Sequence, residues 1–415
     1  MQHFDVIAAS PPARSGAVED EAPIAVSIVM PCLNEALSLA HCITNAHDAL
    51  ARIAETYGLQ GEIVIADNGS SDGSQAIAEA LGARVVPVSA RGYGAALRGG
   101  FDAAHGRFLV MGDADGSYDF TDCVAMIGRL IDGAQLCMGS RFQGGIKPGA
   151  MPWKNRWIGN PLLTGMLNLF FRSGIDDAHC GLRAIRREAY RELALESTGM
   201  EFASEMVIKA SLKRIRVDEV PATLSPDLRD RAPHLRPWRD GWRHLRYLIM
   251  LSPTWAFGVP AVLLAGIGAL ILGMEILWGL GVLPGPVRFG ANWAIVGAFF
   301  VTTGHFAALA SLAGHVYTAR LGHRRLPWLV RKAAGVLTLE HSLVGGGLLV
   351  AGAVVAMLGI GVHWSLGGFA VPASTLPVVL AAVAGAVGVQ TMLAGFLLAV
   401  LAGHSGRFVV LADND

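Results

Sequence analysis

Two aspartates one residue apart, Asp113 and Asp115, follow a short apolar run from Phe108 to Met111. Four apolar residues between polar ones read as a buried strand. Asp113-Ala114-Asp115 therefore brings two carboxylates to a point where the strand stops covering them. Hard divalent ions prefer oxygen ligands, and Mg²⁺ commonly takes one or two carboxylates and completes its shell with phosphate oxygens. The pair suits Mg²⁺ or Mn²⁺ holding a diphosphate. A bare Asp-x-Asp also occurs in solvated turns, so the surrounding elements have to decide.

Those elements alternate. Apolar runs at 26–30, 62–66, 84–88, 108–111 and 135–138 read as strands, and helical patterns fall at 36–56, 74–82, 94–104 and 120–132. This β-α-β-α order predicts an α/β fold with a mainly parallel sheet covered on both faces. Ligands of such sheets sit beyond the carboxyl ends of the strands. Three polar clusters fall there: Pro31-Cys-Leu-Asn34-Glu35, Asp67-Asn68-Gly-Ser-Ser-Asp-Gly73 and Asp113-Ala114-Asp115. Their convergence points to one active site.

Charge divides the 415 residues into two parts. Of 66 charged residues, 55 lie in 1–248 and 11 in 249–415. The first part has the composition of a globular domain and the second is too apolar for one. Net charge is zero, and neither half has the basic excess expected of a nucleic-acid binder. The five cysteines form no Cys-x-x-Cys pair and fit reduced, packing roles. Residues 1–22 have no basic start followed by an apolar core, so they read as a flexible leader rather than a signal peptide.

Four apolar spans, at 255–280, 293–313, 343–362 and 376–402, each approach the ~20 residues of a bilayer helix. The loop between spans two and three carries Arg320, Arg324, Arg325, Arg331 and Lys332, whereas the other two loops share Arg288. Positive charge stays inside, which places that loop, both termini and the soluble domain on the cytoplasmic side of the cell membrane. Glu275 lies roughly 31 Å along its helix and should reach the far interface. Gly352, Gly359, Ala381 and Gly385 suit close helix packing, within one chain or in a homo-oligomer. Before the spans, Trp238, Trp242 and Leu245 share a helical face with Arg239, Arg243 and Arg246 off it, the pattern of a helix lying in a membrane interface.

With its clusters in this order, the chain resembles the family 2 glycosyltransferases of GT-A fold. Within them it resembles the polyprenyl-phosphate glycosyltransferases, the dolichol-phosphate mannose synthase group. The likeness rests on the strand and turn from Val26 to Glu35, the turn from Asp67 to Ser74, Asp113-Ala114-Asp115, Gly139-Ser-Arg141, and Asp177-Ala-His-Cys-Gly-Leu-Arg183. It implies a GT-A domain over 23–228, an interfacial helix region over 229–252, a four-helix membrane domain over 253–403 and a cytoplasmic tail over 404–415. It further implies transfer of a hexose, with inversion, from a nucleotide sugar such as UDP-glucose or GDP-mannose to a polyprenyl phosphate.

By the same resemblance, Asp113, Asp115 and Ser117 would hold Mg²⁺ or Mn²⁺, with Ser117 standing where some members carry Gln. Pro31, Asn34, Glu35, Asp67, Asn68, Arg91, Ala114 and Arg183 would line the substrates, and Arg91 would replace the lysine of a Gly-Lys-Gly that here reads Gly92-Tyr93-Gly94. A lipid phosphate is largely ionised near neutral pH, its second pKa being about 6. It needs arginines against charge repulsion more than it needs a base. Arg141 and Arg156 are expected at the acceptor phosphate and Arg229 at the donor diphosphate, with Arg231 a further candidate. Asp115, Arg141 and Asp177 form the expected catalytic set, Asp177 as a base or as the orienter of an arginine. Glu201 and Glu205 either face the acceptor or pair with Lys209 or Lys213. Two other classes share parts of the pattern. A processive polysaccharide synthase would carry Gln-x-x-Arg-Trp, but position 153 is Trp and no span precedes the domain. A lipid flippase that only binds nucleotide would leave Asp113 and Asp115 unexplained.

Overall fold

The computed structural model describes residues 23–230, 237–283, 290–320, 326–370 and 374–409. The leader, Arg231, Arg288, Arg324, Arg325 and the last six residues lie outside the described residues, as does the side chain of Trp238.

The first half runs β1 (Val26–Cys32), α1 (Ala36–Tyr57), β2 (Gly61–Asp67), α2 (Ser74–Ala80), β3 (Arg84–Pro87), α3 (Tyr93–Ala103), β4 (Phe108–Met111), α4 (Cys123–Ile131) and β5 (Leu136–Ser140). It continues with α5 (Arg141–Gly144), α6 (Asn160–Phe171), β6 (Arg183–Arg186), α7 (Arg187–Leu193), α8 (Phe202–Lys213) and β7 (Val217–Pro221). The seven strands form one sheet in the order β3-β2-β1-β4-β6-β5-β7. All neighbours pair in parallel except β6, which runs antiparallel to both β4 and β5. Strands β1 and β4 are buried almost throughout, as a sheet covered on both faces requires. One apolar core lies under α1 and α4; the other lies under α3, α6, α7 and α8.

After α9 (Pro237–Met250) come α10 (Val259–Gly279), α11 (Gly290–Arg320), α12 (Trp328–Lys332), α13 (Leu339–Leu366) and α14 (Leu376–Leu401). Four helical stretches are long and apolar enough to cross a membrane: Thr254–Gly279, Asn292–Arg320, Leu339–Leu366 and Leu376–Leu401. They pair as α10 on α11 and α13 on α14, and α11 also packs on α14. Glycines let the backbones meet: a Cβ at Gly346 would stand 2.6 Å from the Gly388 carbonyl oxygen, and one at Gly268 2.6 Å from that of Gly297. Gly352 and Gly359 make no such contact within the chain, with no atom within 4 Å of a Cβ.

Two segments pack against the rest of the molecule. Residues 404–409 are no free tail, because Phe408 and Val409 are buried and Gly406 and Phe408 hydrogen-bond the chain just before α13. Helix α9 faces the soluble core with His244 and Leu248, which are buried, and with the partly buried Tyr247. Trp242, expected to lead an apolar face, is 60% exposed on the outer side.

Candidate active site

Three parallel strands end side by side, and the turns after them are stitched together by their own polar side chains. Asn34 adopts a left-handed backbone (φ 59°), a conformation that asparagine tolerates better than most residues. Its N–H donates to Ser70 Oγ at 2.9 Å and its Oδ1 accepts from the Ser71 N–H at 2.8 Å, tying the β1 turn to the β2 turn. Asp67 accepts from the N–H groups of Gly69 and Ser70 and from Gln75 Nε2 at 2.7 Å. Burial alone would raise its pKa, but the bonds from Ser70, Gln75 and Gly69 outweigh that and hold it below the usual value.

The Asn68 amide nitrogen donates to the carbonyls of Val88 and Ala90, and its Oδ1 accepts from the Gly92 N–H at 2.8 Å. The side chain thereby holds the 88–92 loop against the end of β2. Arg91 donates to the Asn68 carbonyl at 2.7 Å and stays exposed beside that loop.

At the end of β4, Asp113 Oδ1 accepts from the Tyr93 hydroxyl at 2.9 Å. Gly181 lies beneath the other oxygen, where a Cβ would come 2.8 Å from Oδ2. Burial first, then the neighbouring Asp115 charge, pushes Asp113 up to about 7. Asp115 Oδ1 accepts from the Ser117 N–H at 3.0 Å, and Oδ2 from Arg229 Nη2 at 2.6 Å. Ala114 is fixed through its carbonyl, which accepts from Ser38 Oγ at 2.7 Å.

Arg229 arrives on a strap that follows β7. The Ser225 N–H donates to the Ser117 carbonyl and the Leu228 N–H to the Asp115 carbonyl, so the strap lies along the Asp113–Ser117 turn. Its guanidinium also reaches Asp227 at 3.1 Å and Glu35 at 3.6 Å. Burial works against its charge, but Asp115, Asp227 and Glu35 together hold it more firmly protonated than an exposed arginine. The expected boundary at 228 falls one residue before Arg229, whose guanidinium pairs with Asp115. Glu35, expected to line the substrates, lies on the same guanidinium.

The acceptor-side motifs pair among themselves. Arg141 forms a buried two-point pair with Asp177, Nε to Oδ2 at 2.6 Å and Nη2 to Oδ1 at 2.8 Å. Despite burial, the Arg141 guanidinium keeps Asp177 below the usual carboxylate range. Asp177 thus has the geometry of an arginine orienter. Arg183 is fully buried, and its guanidinium donates to the carbonyls of Cys180, Ala178 and Ala203. It braces the loop that leads into β6 and ties it to the start of α8. Glu205 accepts from the N–H groups of Glu196 and Ser197 and pairs with Lys209 at 2.8 Å, the structural alternative. Arg156 is half-buried, with its guanidinium 5.3 Å from the Trp157 ring centre. Tyr93 stands out in the sequence only as a departure from Gly-Lys-Gly, and Asp227 not at all, since a lone aspartate leaves no signal in one sequence.

The donor set fits a divalent cation. Asp113 and Asp115 stand one residue apart at the end of β4, and a guanidinium already answers the Asp115 charge. Among the described residues no group of three or more His, Cys, Asp or Glu stands at metal-holding spacing. Two carboxylates completed by phosphate oxygens are a usual arrangement for Mg²⁺.

This sheet, with its acidic turn and a membrane half behind it, defines a GT-A-like transferase domain joined to membrane helices. Residues 27–194 match the family "Glycosyl transferase family 2", and residues 312–402 match "Glycosyltransferase family 2 C-terminal transmembrane region". The chain is 34% identical over 374 residues to the low-salt glycan biosynthesis hexosyltransferase Agl6 of Haloferax volcanii, covering 90% of this chain and 88% of that protein. It is 29% identical to the dolichyl-phosphate beta-glucosyltransferase of Saccharomyces cerevisiae, over 49% of this chain and 67% of that one. It is also 29% identical to the polyprenol monophosphomannose synthase of Mycolicibacterium smegmatis, over 51% and 83%. The chain belongs to the family 2 glycosyltransferases, as a multi-pass membrane member with a C-terminal transmembrane region.

Proposed function

We propose that the chain transfers a hexosyl group from a nucleoside diphosphate sugar to a polyprenyl phosphate, with inversion, at the cytoplasmic face of the cell membrane. The observation that carries the lipid acceptor is an apolar and basic platform beside the acceptor motifs. Trp153, Trp157, Ile158 and Leu162, ahead of and within α6, are each more than half exposed, next to Lys154 and Arg156. The same helix reaches the membrane half, for Phe170 stacks on Trp255 at 5.0 Å in the first turn of the first span. Exposed tryptophans interleaved with cations are costly in water and favourable at a lipid interface. The yeast and mycobacterial relatives named for lipid-phosphate acceptors support the same reading.

In this reading a phosphate oxygen attacks the anomeric carbon as the bond to the diphosphate breaks, and the nucleoside diphosphate leaves. Mg²⁺ or Mn²⁺ on Asp113 and Asp115 would neutralise charge on the leaving diphosphate. Arg229, now against Asp115, would release that carboxylate and turn to the same diphosphate. Asp177 fixes Arg141 in the acceptor region, and Arg156 offers a second, more accessible cation. Asp67 and the 88–92 loop held by Asn68 shape the nucleoside end. Residues 23–229 would be the catalytic domain, with α9 lying along the interface and 253–403 in the bilayer.

The test is a donor panel containing UDP-glucose and GDP-mannose, offered with a short polyprenyl phosphate and divalent metal. A lipid-linked hexose identified by mass spectrometry is the expected product. Transfer only to water or to a soluble sugar would overturn the reading.

A further inference from the structure

Where related sequences carry a lysine, this chain places Tyr93 between two glycines, and the structure shows what the glycines are for. Gly92 has a φ of 127°, and a Cβ there would stand 2.2 Å from the Thr198 carbonyl oxygen. A Cβ at Gly94 would meet the Ser197 carbonyl oxygen at 2.5 Å and Phe202 Cβ at 2.8 Å. The Ala95 N–H donates to the Thr198 carbonyl at 3.1 Å. The start of α3 is thus pressed against the 197–199 loop at van der Waals limits. That docking carries the Tyr93 ring inward and delivers its hydroxyl to Asp113 Oδ1.

From this geometry we propose that Tyr93 is a positioning residue, which orients Asp113 so that the carboxylate meets a divalent cation through one oxygen. The inference rests on the metal reading above. Asp113 is held by the Tyr93 hydroxyl on Oδ1, and Oδ2 occupies the space that a side chain at Gly181 would fill. A carboxylate so held cannot swing freely to chelate with both oxygens. One-oxygen coordination suits the small octahedral shells of Mg²⁺ and Mn²⁺, whereas Ca²⁺ readily accepts two-oxygen carboxylates at longer distance. Hydrogen bonds to a ligand from its supporting residues commonly change metal affinity about ten- to a hundredfold. Tyr93 is therefore expected to raise both affinity and selectivity.

Tyr93→Phe keeps the ring and removes the donor. Mn²⁺ binding to the full-length protein, followed by electron paramagnetic resonance with UDP or GDP present, reads the effect without turnover. The variant should bind Mn²⁺ about tenfold more weakly, at the low end of that range, and Ca²⁺ should compete better than against wild type. Tyr190→Phe is the control, because Tyr190 makes an equivalent phenol–carboxylate bond to Asp102 at 2.9 Å away from the site. It should match wild type in Mn²⁺ affinity while matching Tyr93→Phe in thermal stability. Unchanged Mn²⁺ binding in Tyr93→Phe, or an equal loss in Tyr190→Phe, would overturn the inference with the metal site intact. A wild type that binds no Mn²⁺ with either nucleotide overturns the metal reading itself, and this inference with it.

Discussion

Asp113 carries a charge that its surroundings resist, and that has a measurable sign. Its folded value near 7 stands above the ordinary 3.8. The folded protein therefore binds this proton more tightly than the unfolded chain does. Stability from this group is present at low pH and falls as pH rises from about 4 to about 7. Asp113→Asn removes the titration and keeps an acceptor for Tyr93. In metal-free thermal unfolding the variant should gain on wild type steadily across that window, and a difference independent of pH would contradict the assignment. Asp177 is the contrasting carboxylate, paired at two points with Arg141. Asp177→Asn leaves a buried guanidinium poorly matched, and breaking such pairs typically costs about 3–5 kcal/mol. The melting temperature and transfer should fall together. A variant that lost transfer at wild-type melting temperature would return Asp177 to the role of base. Residue types and order were legible here, but pairings were not. The sequence showed that Arg141, Arg183 and Arg229 had anions to face, yet only the fold separates one held by Asp177, one spent on three carbonyls and one set against Asp115.

Helices and strands were easier to read where periodicity was strong. β4 lies where its four apolar residues predicted, and α1 runs one residue past the expected end. β6 was missed because Arg183-Ala-Ile-Arg186 is four residues flanked by arginines, with no alternation to mark it. β7 was missed for a similar reason, since Val217-Asp-Glu-Val220 is only half buried at the sheet edge. The antiparallel insertion of β6 is what brings Gly181 and Arg183 beside β4, so one missed strand hid part of the site. The docking of α3 is equally invisible without coordinates. Its prediction is direct: Gly94→Ala forces a methyl against backbone and Phe202, and overpacking of this kind costs about 1–3 kcal/mol. Urea unfolding should show that loss. Gly165→Ala, at a helical site with nothing within 4 Å, should not be destabilised.

Across the whole molecule, hydropathy alone located all four spans, because bilayer length imposes a signal that no soluble element imitates. Helix α9 lies within the expected interfacial region, with one face on the soluble core and Trp242 exposed on another. Orientation follows from charge. Arg320, Arg331 and Lys332 lie between spans two and three, and their transfer across a bilayer is disfavoured. With two spans between them, the catalytic domain would lie on the same side as that loop, the side the proposed function requires, because a charged nucleotide sugar does not cross the bilayer. All five native cysteines are buried, so single cysteines can be introduced without removing them. Arg331→Cys lies exposed in the basic loop, and Val282→Cys lies exposed where the first span ends. In intact cells a membrane-impermeant maleimide should label position 282, and it should label position 331 only after the membrane is opened. Labelling of 331 from outside, with 282 protected, would invert the molecule and leave its active site facing away from the cytoplasm.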